Sequence, residues 1–332
     1  MPHLVAAPDK FRETATSLAV AEAIGRAAAA AGWSADLAPV ADGGEGFLDA
    51  LLSAGGSRRV ATVSGPLGRP VRAEWGLLQD GHTGVVEMAR ASGLDLVGGP
   101  AANDPLRATT AGTGELIAAA VTAGARRVLV GLGGSATTDG GLPCLRALSP
   151  HARLRGVELV VACDVTTRFV DAARVFGPQK GATPAQVALL TRRLERLVQV
   201  YRDDFGVDVS EVEGSGAAGG LAGGLVALGA KLVPGFEVVA EAIGLEDRLE
   251  GADLVITGEG WLDEQSFHGK AVGGVLALAD AANVSVAVIV GGAEPGAADG
   301  RQVISLTERY GEERSRRETV ALVEAEVQAL LR

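Results

Sequence analysis

Cysteine and histidine are scarce in this 332-residue chain, which has two of the first and four of the second. Cys144 and Cys163 form no CxxC pair and have no histidine at ligand spacing. That argues against a zinc site or a disulfide framework and for reduced core thiols in a reducing cytosol. His3, His82, His151 and His268 lie far apart, without HExxH spacing, and of these only His268 falls in a candidate site loop. Aromatic residues make up 4%, so the core has to be built from Ala, Val, Leu and Ile. Trp33 and Trp75 read as core residues, and Trp261 as a candidate for lining a pocket. No apolar run reaches about 18 residues and no cationic segment precedes an apolar one at the start, so neither a membrane span nor a signal peptide is expected. A cytoplasmic location follows. Positive charge is also short, with 30 Lys and Arg against 41 Asp and Glu and a net charge of −11. Such a surface repels nucleic acid and anionic lipid, so neither is expected as a partner, although a few local cations can still hold a small phosphate.

Glycine, by contrast, is plentiful at 47 residues and comes in clusters. Clustered glycine marks places where the backbone turns sharply or approaches something closely. Around these clusters the chain alternates between apolar strand-like and helix-like stretches at both ends. His3–Ala7, the helix ending at Gly32, Asp36–Val40 and Phe47–Leu52 open it; Ala252–Thr257, Gly273–Ala282, Val284–Val290, Val303–Leu306 and a charged helix over Glu312–Leu331 close it. Alternation of this kind predicts a parallel sheet covered by helices. The middle differs: residues 58–90 read as antiparallel strands about a Gly65–Pro70 turn, and a long polar helix runs from Pro184 to about Arg202. The expected fold is α/β with two α/β domains. A discontinuous Rossmann-like parallel-sheet domain (residues 1–61 plus 250–332) carries a second α/β domain (62–249) as an insertion.

Five polar, Gly-rich segments follow a strand or precede a helix: Pro8–Arg12, Asp42–Gly46, Gly133–Gly141, Phe176–Gly181, and Gly258–Asp263 continuing to Gly269-Lys270. In parallel α/β sheets ligands bind at the carboxyl ends of strands, where such loops gather. The segments share glycine backbone, a carboxylate and often a cation, the mixture that phosphoryl transfer needs. Successive N–H groups hold phosphate oxygens, Lys or Arg neutralises charge, and carboxylates hold Mg²⁺ or accept the proton of the attacking hydroxyl. No G-x-x-x-x-G-K-[ST] sequence occurs, so a P-loop is excluded. Gly131-x-Gly133-x-x-Ala136 follows the strand RRVLVGL and fits a dinucleotide fingerprint, which leaves a nicotinamide-dependent dehydrogenase as a rival reading; no acidic residue ends a strand about twenty positions later. No G-x-S-x-G elbow is present, which counts against an α/β-hydrolase.

The segments APDKF, PVADGGEGF, GPLGRPV, GLGGSATTDGG, ACDV, VFGPQKGAT, GSGAAGGLAGGLVALGAKLVPG and ADLVITGEGWLDEQSFHGK resemble, in order, those of the type I glycerate kinases, the glycerate 2-kinases without a P-loop. The resemblance runs from residue 4 to about 280. It implies ATP and Mg²⁺ as cofactors, D-glycerate as the small-molecule substrate, transfer to the 2-hydroxyl and a site in the cleft between two α/β domains. Four places depart from the family: a short stretch at 149–156, Val165–Phe169 after Asp164, Trp261 where a basic residue is usual, and Val272 in place of a proline. They keep open a non-catalytic or re-specialised relative binding another small hydroxy acid. The assembly is left open, a homodimer included.

The candidate catalytic residues are Asp42, Asp263, Asp164 and Lys10, with Asp42 and Asp263 first for the base and Asp164 or Asp263 for the metal. Lys10, Arg12 and Lys180 are expected to neutralise phosphate or hold the glycerate carboxylate. The loops at 133–137 and 216–220 are expected to cradle phosphates. The remaining candidate substrate- and ATP-binding residues are Asp9, Gly43, Gly44, Gly133, Gly134, Ser135, Thr137, Asp139, Gly216, Gly219, Gly258, Glu259 and Lys270.

Overall fold

Parallel strands buried on both faces read as continuous apolar runs, and VAVIV within Ser285–Val290 is such a run. In the computed structural model, which describes residues 1–11, 13–267, 270–294, 296–297 and 302–332, this strand belongs to an all-parallel five-stranded sheet. Its order is Val303–Ser305, Ser285–Val290, Leu254–Thr257, His3–Ala6 and Ser34–Leu37. One face packs on the helices Ser17–Ala30 and Thr319–Leu330 through Val20, Ile24, Leu322, Val323 and Val327. The other packs on Ala271–Ala282 through Val272 and Leu276. The compact unit around this sheet comprises Met1–Asp42, Asp49–Ala54 and Phe236–Arg332.

The chain runs from the central strand His3–Ala6 to one side, towards Ser34–Leu37, while its other neighbour, Leu254–Thr257, leads away to the opposite side. The crossover helices accordingly cover opposite faces. This reversal opens a crevice outside the carboxyl ends of His3–Ala6 and Leu254–Thr257, the place where open α/β sheets bind ligands. The sequence reading made Glu312–Leu331 one helix. The structure breaks it into Glu312–Arg317 and Thr319–Leu330 at Glu318, whose φ of −120° and ψ of 21° are not helical.

The second unit comprises Gly43–Leu48 and Gly55–Gly235. Its six-stranded sheet runs Gly56–Ser64, Pro70–Leu78, Thr83–Glu87, Arg127–Gly131, Glu158–Ala162, Lys231–Val233. The first three strands pair antiparallel, as the Gly65–Pro70 turn predicts, and the rest parallel. Trp75 is 4% exposed and packs with Met88, Leu116, Val130 and Leu221 in the core. The long helix spans Pro184–Phe205. It opens with a Thr183–Gln186 capping box and Pro184 in the first turn, and closes at Gly206 with φ 71°, which are the start and stop signals of an autonomous helix boundary.

Close packing at the sheet edge leaves no room for a side chain at Gly258. A Cβ there would lie 1.6 Å from the carbonyl oxygen of Ile289 on the neighbouring strand. Gly258→Ala is therefore expected to lower stability by roughly 1–3 kcal/mol through overpacking. A urea titration checks this, and an unchanged midpoint would refute it.

Candidate active site

The loops leaving the two central strands of the first unit carry acid and cation together. Pairing continues past the strand ends, with Ala7 N–H donating to Ile256 O and Asp9 N–H to Gly258 O, each at 2.8 Å. The Thr257 hydroxyl adds a third tie, to Ala7 O at 2.8 Å. These bonds fix Asp9 and Glu259 side by side at the reversal of strand order. Asp9 is 7% exposed. Its carboxylate accepts the Lys10 N–H at 2.7 Å, and the Lys10 ammonium lies 3.3 Å from Asp42 and 4.0 Å from Asp9.

Burial pushes the Asp9 carboxyl up to about 7 against the pull of the Lys10 ammonium, with Asp42 and Glu259 adding repulsion. Glu259 is also raised, chiefly by burial, against a hydrogen bond from Ser266 and the nearby Lys270. Its Oε1 atom is enclosed without a hydrogen-bond partner among the described residues. Asp263 accepts the Ser266 N–H at 2.9 Å and hydroxyl at 3.1 Å, and lies 3.7 Å from the Lys270 ammonium. Asp9, Lys10, Asp42, Gly258, Glu259, Asp263 and Lys270 thus meet in one unit. Arg12, His268 and Gly269 lie outside the described residues. Trp261 is 55% exposed.

In the second unit the loop Gly133–Gly141 leaves the carboxyl end of Arg127–Gly131 and is held by its carbonyl groups. Lys180, 2% exposed, donates from Nζ to Thr137 O at 2.7 Å and to the Ser135 hydroxyl at 2.8 Å. Asn103 Nδ2 donates to Ala136 O at 3.0 Å and to Lys180 O at 2.8 Å. The Tyr201 hydroxyl donates to Gly140 O at 2.7 Å. Asp139 ties the loop to the start of the helix Ala111–Thr122. It accepts the Thr110 N–H at 2.7 Å, the Thr110 hydroxyl at 2.9 Å and the Gly141 N–H at 3.0 Å. Loss of bulk water raises the Asp139 carboxyl, which these hydrogen bonds and Lys180 pull back. Burial pulls the Lys180 amine down to about 7. A neutral amine keeps two N–H donors, enough for both of its partners.

The loop Gly214–Gly220 packs on the same segment. Ala218, Gly219 and Gly220 have φ of 52°, 67° and 92°, a left-handed run in which a non-glycine residue is uncommon and marks strain of the kind concentrated at functional sites. Gly219 cannot carry a side chain, since its Cβ would lie 2.0 Å from Thr137 O. Gly140 N–H donates to Gly219 O at 3.0 Å. Gly43 and Gly44 lie against Ala162 and Gly133, where a Cβ on either Gly43 or Gly133 would clash. Asp164 is exposed and accepts the Gly235 N–H at 2.7 Å. The structure thus brings Ser135, Thr137, Asp139, Lys180, Gly216 and Gly219 together. Asn103, Thr110 and Tyr201 join them without having been singled out in the sequence, because their partners are distant in the chain.

The dinucleotide reading of Gly131–Ala136 fails on this geometry. The fingerprint needs its glycine turn to open a helix directly, whereas the next helix begins at Leu142 and Gly131 is small because it abuts Gly43 and Phe47.

The sequence pattern of the Glycerate kinase family matches residues 4–151 and 149–330. The chain belongs to the glycerate kinase family. It is 42% identical to the glycerate 2-kinase of Escherichia coli K12, with 83% of this chain and 81% of that one covered. Identity to the glycerate kinase of Bacillus subtilis 168 is also 42%, covering 87% and 84%. The crystal structure of a glycerate kinase 2 candidate from Salmonella typhimurium LT2 superposes with a TM-score of 0.85 at 37% identity, covering 99% of this chain and 98% of that one. The two family matches meet at residues 149–151. No helix among the described residues is long and apolar enough to cross a membrane.

The two displaced ionisations oppose each other in pH. Asp9, raised, contributes stability that is full below 3.8 and lost as pH rises through about 7. Lys180, lowered, contributes stability that is full above 10.5 and lost as pH falls through about 7. Urea midpoints across pH 4–10 are expected to lose the low-pH arm in Asp9→Asn and the high-pH arm in Lys180→Met. Profiles parallel to wild type would contradict both assignments.

Proposed function

We propose that this glycerate kinase transfers the γ-phosphoryl group of ATP to the 2-hydroxyl of D-glycerate in the cytoplasm, giving 2-phosphoglycerate and ADP. The observation that carries this reading is the family match along residues 4–330, with relatives named glycerate kinase and glycerate 2-kinase. The chemistry of the two polar clusters supports it. The substrate oxygen attacks the γ-phosphorus, the bond to the β–γ bridging oxygen breaks, and ADP departs with that electron pair. The substrate proton passes to a carboxylate.

Asp42 is our choice for that base, with the Lys10 ammonium 3.3 Å away to hold it ionised and to neutralise charge on the transferred group. Lys270 and Arg12 add positive charge. Backbone N–H groups of Gly133, Gly134 and Ser135, and those of the left-handed turn at Gly219, receive phosphate oxygens, because the carbonyls of the 133–141 loop are the groups that the staples occupy. In this reading Lys180 is a positioning residue that shapes the loop from behind, its amine being buried and engaged.

A Mg²⁺ ion fits the first cluster. Magnesium is usually held by one or two carboxylates plus substrate phosphates rather than by an all-protein cage. No group of three or more His, Cys, Asp or Glu suited to a metal occurs among the described residues. The unpartnered Glu259 Oε1 and Asp263 are the residues that would hold the ion. It would supply charge neutralisation on the phosphates. Asp164 remains a weaker candidate, as its carboxylate caps the backbone at Gly235.

An ADP-release assay with MgATP and D-glycerate, with phosphorus NMR of the product, tests the activity. Turnover giving 2-phosphoglycerate is expected. Turnover confined to another hydroxy acid would move the specificity, and none on any would sink the reading. Asp42→Asn is expected to lower kcat by roughly 10²–10⁴ while ATP still binds; an unchanged kcat would remove Asp42 as the base.

A further inference from the structure

Between Gly131 and Thr138 only Gly133, Gly134 and Ser135 reach solvent, and the residues on either side of them are buried. Ser135 forms an isolated antiparallel bridge with Gly93. The bonds that make it flank the pair: Ala136 N–H donates to Ser92 O at 2.9 Å and Leu94 N–H to Gly134 O at 2.8 Å. In an antiparallel ladder the residues between two such bonds are a non-hydrogen-bonded pair. The N–H of Ser135 therefore faces away from Gly93. Its side chain meets Lys180, which donates from Nζ to Ser135 Oγ at 2.8 Å and to Thr137 O at 2.7 Å. The bond to Thr137 is buried and the bond to Ser135 only partly so. The Ser135 hydroxyl thus stands between an enclosed amine and solvent.

A hydroxyl has one O–H donor and two acceptor lone pairs. Lys180 occupies one lone pair, and the hydroxyl hydrogen is bonded to no other described residue. An ammonium group has donors and no acceptor, so it excludes the reverse bond, and an anion at Gly133–Ser135 favours that charged form. Asn103 steadies the arrangement by tying Lys180 O to Ala136 O through one amide nitrogen, at 2.8 and 3.0 Å. We infer that Ser135 is a phosphate-binding residue whose hydroxyl and backbone N–H both donate to nucleotide phosphate, and that Lys180 is the positioning residue that aims the hydroxyl. A hydroxyl bonded to an anionic oxygen is short and roughly twice as strong as a neutral pair. One enclosed lysine thereby acts on the anion through a neutral side chain without touching it. The inference rests on the ATP-dependent kinase reading above and deepens it, adding a side-chain donor to the backbone cradle.

Calorimetric binding of MgATP and MgADP to the intact chain, beside the kinetics of D-glycerate phosphorylation, tests this. Ser135→Ala is expected to weaken ATP binding roughly tenfold or more and to leave the KM for D-glycerate alone. Ser135→Thr keeps the hydroxyl and is expected to stay within about threefold of wild type. Equal losses for ATP and ADP place the bond on the phosphates they share, and a loss for ATP alone places it on the γ-phosphate; both support the inference. Lys180→Met is expected to weaken ATP binding in the wild-type background and far less in Ser135→Ala, because both changes remove one donor. Losses that multiply would overturn the positioning role. Where Lys180→Met disturbs folding, seen in its urea midpoint, the two Ser135 variants carry the test. Unchanged affinity for both nucleotides in Ser135→Ala, equal weakening in Ser135→Ala and Ser135→Thr, or a change confined to the KM for D-glycerate overturns the inference and, with turnover intact, spares the kinase reading. ATP binding that Ser135→Ala weakens, in a chain without turnover on D-glycerate, does the reverse.

Discussion

A parallel sheet covered by helices on both faces has no place for a polar side chain except at the ends of its strands. Every residue of Val5, Ala6, Val255 and Ile256 is fully buried, and the first ionisable group after each central strand is the one that meets solvent or a ligand. Asp9 and Glu259 hold those positions. The reversal of strand order between His3–Ala6 and Leu254–Thr257 then leaves a crevice instead of a crossover helix beside them. The placement of the first unit's polar cluster is a consequence of that single topological choice, and its mixture of carboxylates with Lys10 and Lys270 is the one that the proposed phosphate transfer requires.

The second unit solves a different problem, that of keeping a glycine loop in one shape. Glycine gives the backbone access to left-handed conformations and close approach, but it also loses the most entropy on ordering. The loop Gly133–Gly141 is therefore held by side chains that reach its carbonyls, namely Lys180, Asn103 and Tyr201. Each staple uses an acceptor of the loop and none of its donors. The N–H groups of Ala136, Gly140 and Gly141 are engaged by Ser92, Gly219 and Asp139, so in the proposed reading it is the stretch Gly133–Ser135 that offers phosphate its N–H groups in a protein of net charge −11. The burial of Lys180 belongs to the same scheme. Burial pulls its amine down while Asp139 pulls it back up, and its hydrogen bonds to Ser135 and Thr137 give it a directional task in either form.

Much of this was legible in the sequence because glycine clusters and apolar runs are local signals. The five polar loops, the antiparallel hairpin about Gly65–Pro70 and the capped helix from Pro184 were each readable from a few neighbouring residues. What escaped depends on partners distant in the chain. Lys180 in VFGPQKGAT reads as a cation for phosphate or the glycerate carboxylate, and only its contact with Ser135 and Thr137, 45 and 43 positions away, shows it enclosed. Asn103 sits in a turn-like AANDPL and gains its meaning from Ala136 and Lys180. The break at Glu318 escaped for the opposite reason, since nothing in the local sequence opposes a continuous helix.

The distribution of acidic groups separates roles that a list of conserved-looking loops would merge. Asp139 is engaged from three sides and serves the loop's shape, whereas Glu259 keeps an enclosed oxygen unpartnered. A buried carboxylate oxygen without a donor is costly unless something supplies one. In the proposed reading that supplier is a cation; the Asp9 carboxyl beside it is raised chiefly by burial, with Asp42 and Glu259 adding repulsion. Cation binding and proton release are then two sides of one balance. The same carboxylates that would hold a divalent ion are those whose ionisation the ion would favour, so a cluster too acidic to be fully ionised alone becomes so when its charge is met.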